Sequence, residues 1–169
     1  MKDQHTPIIL LYAVFFASCV LMSIIQNEAI STIGGALFLI ALIAAYIMRI
    51  KTARESLHRH HLTFMIRAAW IGSFILLAAI PAVAYAMWYH GDQTAFDELA
   101  KMVEDGVVID ETMVNDAVDA YMRDNYAMIV QYAYFGFAPG LFYMLYKWAK
   151  GFTAISKGTF VRGGSKSIF

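Results

Sequence analysis

The three histidines His58, His60 and His61 are the side chains whose type and spacing come closest to chemistry in this chain. Residues three apart share a face of a helix, so His58 and His61 would point the same way, and Glu55 precedes His58 by the same spacing. Such a row of imidazole and carboxylate groups could hold Zn²⁺. The adjacent Arg59 disfavours a bound cation. We therefore predict a polar cap beside anionic lipid and no metal, with a metal site as the alternative.

Other catalytic arrangements are disfavoured by where the remaining histidines lie. His90 follows His61 by 29 residues, which is about 43 Å along a continuous helix. These two side chains cannot share a haem iron within one chain. An enzyme would need a nucleophile, a metal set or an acid–base pair, and only the cluster from His58 to His61 comes near. We predict no catalytic residue, no cofactor and no enzymatic activity.

Four long stretches without charged residues lie before and after this histidine cluster in the chain. They comprise residues 7–25, 30–48, 68–89 and 126–146, and none contains Asp, Glu, Lys, Arg or His. Each has 19 to 22 residues, enough for a helix to cross a hydrocarbon core of about 30 Å. With 60% hydrophobic residues, the chain is too apolar for an ordinary soluble domain. We predict an all-α polytopic membrane protein, with residues 1–169 forming one membrane domain built on a four-helix transmembrane bundle.

Charge is sorted along the chain in a way that predicts orientation. Residues 91–125 carry ten acids against Lys101 and Arg123, whereas the rest carries eleven Lys or Arg and three acids. Basic residues that flank spans remain on the cytoplasmic side. The basic second connection and the basic tail 147–169 therefore predict a bacterial inner-membrane protein with both termini cytoplasmic. The lysines of the tail are expected near lipid phosphates, and the chain beyond Gly158 is expected to fray.

The acidic insert 91–125 is predicted to lie on the opposite side of the membrane. Its apolar residues recur at helical spacing in two stretches, and Asp110 can cap the second. We expect a helical extramembrane hairpin over the outer end of the bundle. A direct run of its second helix into the fourth span is one option for the connection. Its net charge of minus eight suggests a docking surface for a basic partner or divalent cations. The alternative is a solvated charged face that enforces topology.

The interior of the predicted spans offers only mild polar groups. No ionisable residue lies at membrane depth, which argues against a proton or sodium relay confined to one protomer. Gly136 and Gly140 form a GxxxG pattern that favours close helix contact, either within the bundle or in a homodimer. Gly34 offers a small surface for the packing of the first two spans.

A local motif opens the third predicted span. His61, Phe64, Arg67 and Trp70 are successive neighbours three residues apart. Arg67 can reach lipid phosphate, Trp70 suits the headgroup boundary, and a cation–π contact between neighbours is feasible. We interpret the motif as an anchor that fixes the depth and rotation of the third helix.

This motif, together with the glycine- and lysine-containing ending at 148–161, resembles a widespread family of small bacterial four-helix membrane proteins. That family is related to the small subunit of the chloroplast inner-envelope protein-import translocon. The chain departs from the family pattern at Ala68 and Ala69, and its acidic insert is longer. The resemblance implies no reaction for the bacterial members, and its plastid branch suggests protein translocation.

These observations lead to two expectations about function. The first is a non-enzymatic structural or accessory subunit of a membrane complex. The alternative is a translocation or channel component whose conduit forms between protomers. The expected partners are membrane lipids and other membrane-protein subunits or further copies of the chain, and not nucleic acid.

Overall fold

The computed structural model describes residues 5–24 and 26–161, and these residues form six helices and no strand. The helices are α1 (Thr6–Met22), α2 (Glu28–Lys51), α3 (Leu57–His90), α4 (Thr94–Glu104), α5 (Glu111–Asp124) and α6 (Tyr126–Ser156). The chain divides into two compact units. Unit 1 comprises Met1–Leu77 and Phe137–Phe169, and unit 2 comprises Ala78–Gly136. The predicted all-α class is confirmed.

Three of the described helices, α2, α3 and α6, are long and apolar enough to cross a membrane. The prediction of four such spans is wrong, because α1 has only 17 residues and reaches about 26 Å. Ser23 is the C-cap of α1, and its hydroxyl donates to the Val20 carbonyl at 2.7 Å. Ile25, the last residue of the first predicted span, lies outside the described residues.

Helices α1 and α2 pack side by side across a short turn. The Asn27 side chain caps α2 by accepting a hydrogen bond from the backbone N–H of Ile30 at 3.1 Å. Gly34 permits the close approach, since a Cβ there would lie 2.7 Å from the backbone nitrogen of Met22. Any larger residue at this position would therefore push the two helices apart.

Two helices extend well beyond the uncharged runs that predicted them. Helix α3 begins at Leu57, so the histidines lie in its first turns and not in a turn that precedes it. Helix α6 continues to Ser156 and takes in the first part of the basic tail. Both helices pass through a proline, Pro81 in α3 and Pro139 in α6, without ending.

The core of unit 1 forms where α1, α2, α3 and α6 meet. The ring of Trp148 lies 4.6 Å from that of Phe15 and 6.1 Å from that of Phe38. Helix α6 packs on α3 through Gly72, where an added Cβ would lie 2.1 Å from Cγ of Met144. Tight packing of this kind fixes the position of the polar groups described below.

Unit 2 contains the helical hairpin predicted for the acidic insert. Asp110 caps α5 by accepting from the backbone N–H of Met113 at 2.9 Å, as predicted. Helix α5 ends at Asp124 and α6 begins at Tyr126, so the two helices are separate and the option of one continuous helix is not realised. The reason is Asn125, whose buried side chain accepts from the backbone N–H of Asp92 at 2.7 Å and donates to its carbonyl at 3.1 Å.

Candidate functional site

One end of unit 1 gathers the histidines into a polar cluster, here called the histidine end. It contains His5 before α1, His58, His60 and His61 in the first turns of α3, and the segment Gly158–Val161 after α6. The sequence indicated the three histidines of α3. It gave no sign that His5 would join them, because 53 residues separate His5 from His58.

His5 and His58 form a direct contact between imidazole rings. Nδ1 of His5 lies 2.9 Å from Nε2 of His58, and the rings meet edge to face. A hydrogen bond between two ring nitrogens needs one donor and one acceptor. The pair therefore holds together only while at least one of the two rings is neutral.

His61 is fully buried and bonds at both ring nitrogens. Its Nε2 lies 2.9 Å from the backbone carbonyl oxygen of Thr159, and its Nδ1 lies 3.1 Å from the hydroxyl of Tyr12. The carbonyl can only accept, so Nε2 carries the proton and donates. In the neutral ring, Nδ1 then accepts from the Tyr12 hydroxyl. One side chain thus ties α3 to α1 and to the chain after α6.

A capping turn after α6 positions the Thr159 carbonyl. Gly158 adopts a left-handed conformation with φ of +65°. The backbone N–H of Gly158 donates to the Ile155 carbonyl and that of Thr159 to the Ala154 carbonyl, which is the Schellman arrangement. Val161 beyond it is buried. The expected fraying directly after Gly158 is therefore wrong for 159–161, while residues 162–169 lie outside the described residues.

His60 faces a different neighbour. Its ring meets that of Phe160 edge to face at 5.2 Å. Its Nε2 is buried and has no hydrogen-bond partner among the residues that the structure describes. The three histidines of α3 thus have three separate surroundings and do not converge on one point.

The metal-binding row considered for Glu55, His58 and His61 is not assembled. Glu55 precedes the first residue of α3 and is exposed, so it does not continue the helical face. Within 5–24 and 26–161, no group of three or more His, Cys, Asp or Glu side chains could hold a metal ion. The chemistry that the histidine end displays is hydrogen bonding between segments.

The family-like motif divides between the inside and the outside of unit 1. His61 is buried, Phe64 is half-buried, and Arg67 and Trp70 are exposed. The indole N–H of Trp70 donates to the Tyr46 hydroxyl at 2.8 Å. In the described part of the chain the cation–π contact is made by Lys147 over Tyr143, and not by Arg67.

The glycines of the GxxxG pattern both face α3 of the same chain. In unit 2, a Cβ on Gly136 would lie 2.2 Å from Cγ2 of Val83. In unit 1, a Cβ on Gly140 would lie 2.7 Å from Cδ2 of Leu76. The two glycines therefore lie where α6 packs within its own chain.

The acidic hairpin of unit 2 carries many charged side chains, and most of those described form no ion pair. Among the described residues the one ion pair joins Arg123 to Asp124 at 3.3 Å, with both side chains exposed. The hydroxyl and backbone N–H of Thr94 both bond to Asp92 and lower the pKa of its carboxyl. The Tyr121 hydroxyl donates to the Met87 carbonyl at 2.9 Å and so ties α5 to the end of α3.

Comparison of the chain with protein-family models, with curated proteins and with solved structures found no match. Over residues 5–24 and 26–161 the fold defines the class: an all-helical protein with three helices able to span a membrane. The resemblance to the family of small bacterial four-helix membrane proteins stays a prediction.

Proposed function

We propose that this chain is a multi-pass subunit of a complex in the bacterial inner membrane and acts by assembling with other membrane helices, not by catalysis. Support comes from the surface of unit 2. None of residues 78–90 of α3 is buried, although α3 is one of the three apolar helices. Its aromatic side chains are strongly exposed, Tyr85 by 69% and Tyr89 by 70%. Val83 packs against Gly136 of α6, but the exposed face of this part of α3 is suited to neighbouring helices.

The observation that carries the proposal is the position of Gln131 in α6. Its side chain is exposed on an apolar helix, about 8 Å along the axis from Tyr126. It makes no hydrogen bond to the described residues. Because hydrocarbon offers no partner to an amide, a neighbouring helix that supplies one is favoured. Phe135, one turn further on the same face, is 71% exposed and completes a polar and aromatic contact patch.

The proposed orientation places the histidine end at the cytoplasmic face. Lys51 at the end of α2, Arg54 in the connection to α3 and Arg59 in the first turn of α3 favour that side. The hydrogen bonds of His5 and Thr159 bring the first and last parts of the described chain to this same connection. The first and last described residues then lie on the cytoplasmic side, which requires α1 to return through the membrane alongside α2 although its 17 residues reach only about 26 Å. The acidic hairpin of α4 and α5 lies outside.

The experiment is photo-crosslinking in intact membranes from a photoreactive residue placed at Phe135. The matched control is the same residue at Ile43 of α2, which is 59% exposed. We expect Phe135 to give a discrete protein adduct and Ile43 to give lipid adducts. Gln131→Leu should weaken the protein adduct. Lipid adducts alone from Phe135, together with a strictly monomeric mass in mild detergent, would refute the proposal.

A further inference from the structure

The surface of unit 1 holds an apolar groove between α1 and α6. Its volume is about 410 Å³, within the range of small-molecule sites. The buried rings of Tyr12 and Trp148 form the floor. Exposed residues of the two helices form the walls: Ala13, Phe16, Ala17, Ala149, Phe152 and Thr153. The lining is almost entirely carbon, so the groove suits a hydrocarbon chain.

Small residues keep this groove open while the two helices stay close. A Cβ on Gly151 would lie 2.2 Å from the Tyr12 hydroxyl, so α1 and α6 approach each other there. The three alanines of the walls leave space that longer side chains would fill. The indole N–H of Trp148 in the floor has no hydrogen-bond acceptor among the described residues.

A second cavity adjoins the groove, shares Thr153 with it and has a more polar lining than the groove. Its volume is about 510 Å³, and Lys150, Lys157 and Thr159 contribute to its lining. Lys150 lies in the last turns of α6, and Lys157 directly follows the last residue of that helix. Their seven-residue spacing places both on the same side, with Thr153 between them in sequence. Both ammonium groups are exposed, and neither has a carboxylate partner among the residues described. The hydroxyls of Thr153 and Thr159 already donate to backbone carbonyls of α6, so the two lysines are the groups that suit a phosphate.

We propose that this composite surface binds one anionic phospholipid. Its phosphate lies between Lys150 and Lys157, and one of its acyl chains occupies the groove between α1 and α6. A soluble phosphate would use the lysines but leave the apolar groove empty, whereas a lipid fills both parts. The lipid site lies on unit 1 and the proposed contact patch lies on unit 2. Failure of one proposal therefore does not affect the test of the other.

The charge half of the proposal is tested with delipidated full-length protein by native mass spectrometry. Phosphatidylglycerol is compared with phosphatidylcholine of identical acyl chains. We expect one tightly held copy of phosphatidylglycerol. A lysine near a lipid surface contributes about five-fold in affinity, so Lys150→Gln/Lys157→Gln should weaken binding about thirty-fold. The matched control, Lys51→Gln/Arg54→Gln, removes two exposed charges from the same unit and should change affinity less than about two-fold.

The acyl-chain half is tested by filling the groove. Ala17→Trp should abolish the bound copy, whereas Ala36→Trp, at an exposed alanine of α2 outside the groove, should not. If Ala17→Trp loses helical circular dichroism, Ala13→Leu replaces it. The proposal would be overturned if the protein retained phosphatidylglycerol and phosphatidylcholine equally, or if Ala17→Trp left the bound lipid in place. It would also be overturned if the control Lys51→Gln/Arg54→Gln lost as much lipid affinity as Lys150→Gln/Lys157→Gln. Displacement of the lipid by millimolar inorganic phosphate would identify a soluble phosphate as the ligand and overturn it as well.

Discussion

The hydroxyl of Tyr12 lies 3.1 Å from Nδ1 of His61, and both side chains are almost completely buried. This bond joins the middle of α1 to the first turns of α3. The other nitrogen of the same imidazole holds the Thr159 carbonyl. The His61 ring thus links three segments that are distant in sequence. Loss of the hydroxyl or of the imidazole leaves the other buried polar group without its hydrogen bond.

Tyr12→Phe should therefore lower the free energy of unfolding by about 1–3 kcal/mol, because Nδ1 of His61 loses its donor in a buried position. The measurement is thermal or denaturant unfolding of the purified protein in mild detergent. Tyr146→Phe is the matched control, since Tyr146 is 63% exposed. Equal destabilisation by the two variants would show that the Tyr12–His61 bond contributes nothing.

Two glycines in unit 1 should respond oppositely to alanine. At Gly151 a Cβ would lie 2.2 Å from the Tyr12 hydroxyl, and at Gly35 it would meet no atom within 4 Å. Gly151→Ala should destabilise by about 1–3 kcal/mol through overpacking. Gly35→Ala should be neutral or stabilise by up to about 1 kcal/mol, because alanine favours a helix. Unfolding measurements on the two variants side by side check the difference, and equal effects would contradict the described packing of α1 on α6.

A designed disulfide tests whether Gly136 packs within its own chain. A Cβ on Gly136 would lie 3.9 Å from the Cβ of Ala79, which matches the usual separation across a disulfide. In a Cys19→Ala/Val83→Ala background, which removes the methyl group that a Cβ at Gly136 would overlap, Ala79→Cys/Gly136→Cys should oxidise to an intramolecular disulfide, seen by mass and by thiol counting. Ala82→Cys/Gly136→Cys serves as the control and should stay reduced. Disulfide-linked dimers from the first pair would favour a homodimer contact at this glycine.

The long uncharged runs were enough to predict α2, α3 and α6, since length and the absence of charge are local properties of the sequence. The Asp110 cap was predictable for the same reason, because it involves residues only three apart. The position at which α1 ends could not be predicted from the sequence. The apolar run of this helix continues past Met22, and hydrophobicity alone does not report where within that run the helix ends.

The histidine end could be predicted only in part. His58, His60 and His61 stood out as a cluster, but their partners come from elsewhere in the chain. Nothing local to His5, Tyr12 or Thr159 shows that each contacts α3, because packing of whole helices decides those contacts. Asn125 is a similar case. An asparagine between two helical patterns gives no sign that it will bond to Asp92, 33 residues earlier.

The most direct test of the account is the side of the membrane on which each connection lies. In a Cys19→Ala background, single Glu55→Cys and Glu104→Cys variants place a thiol between α2 and α3 and at the end of α4, both at exposed positions. Intact spheroplasts are treated with a membrane-impermeant maleimide, with and without prior lysis. We predict that Glu104→Cys is labelled in intact spheroplasts and Glu55→Cys only after lysis. Labelling of both thiols from the same side would contradict the proposed membrane subunit.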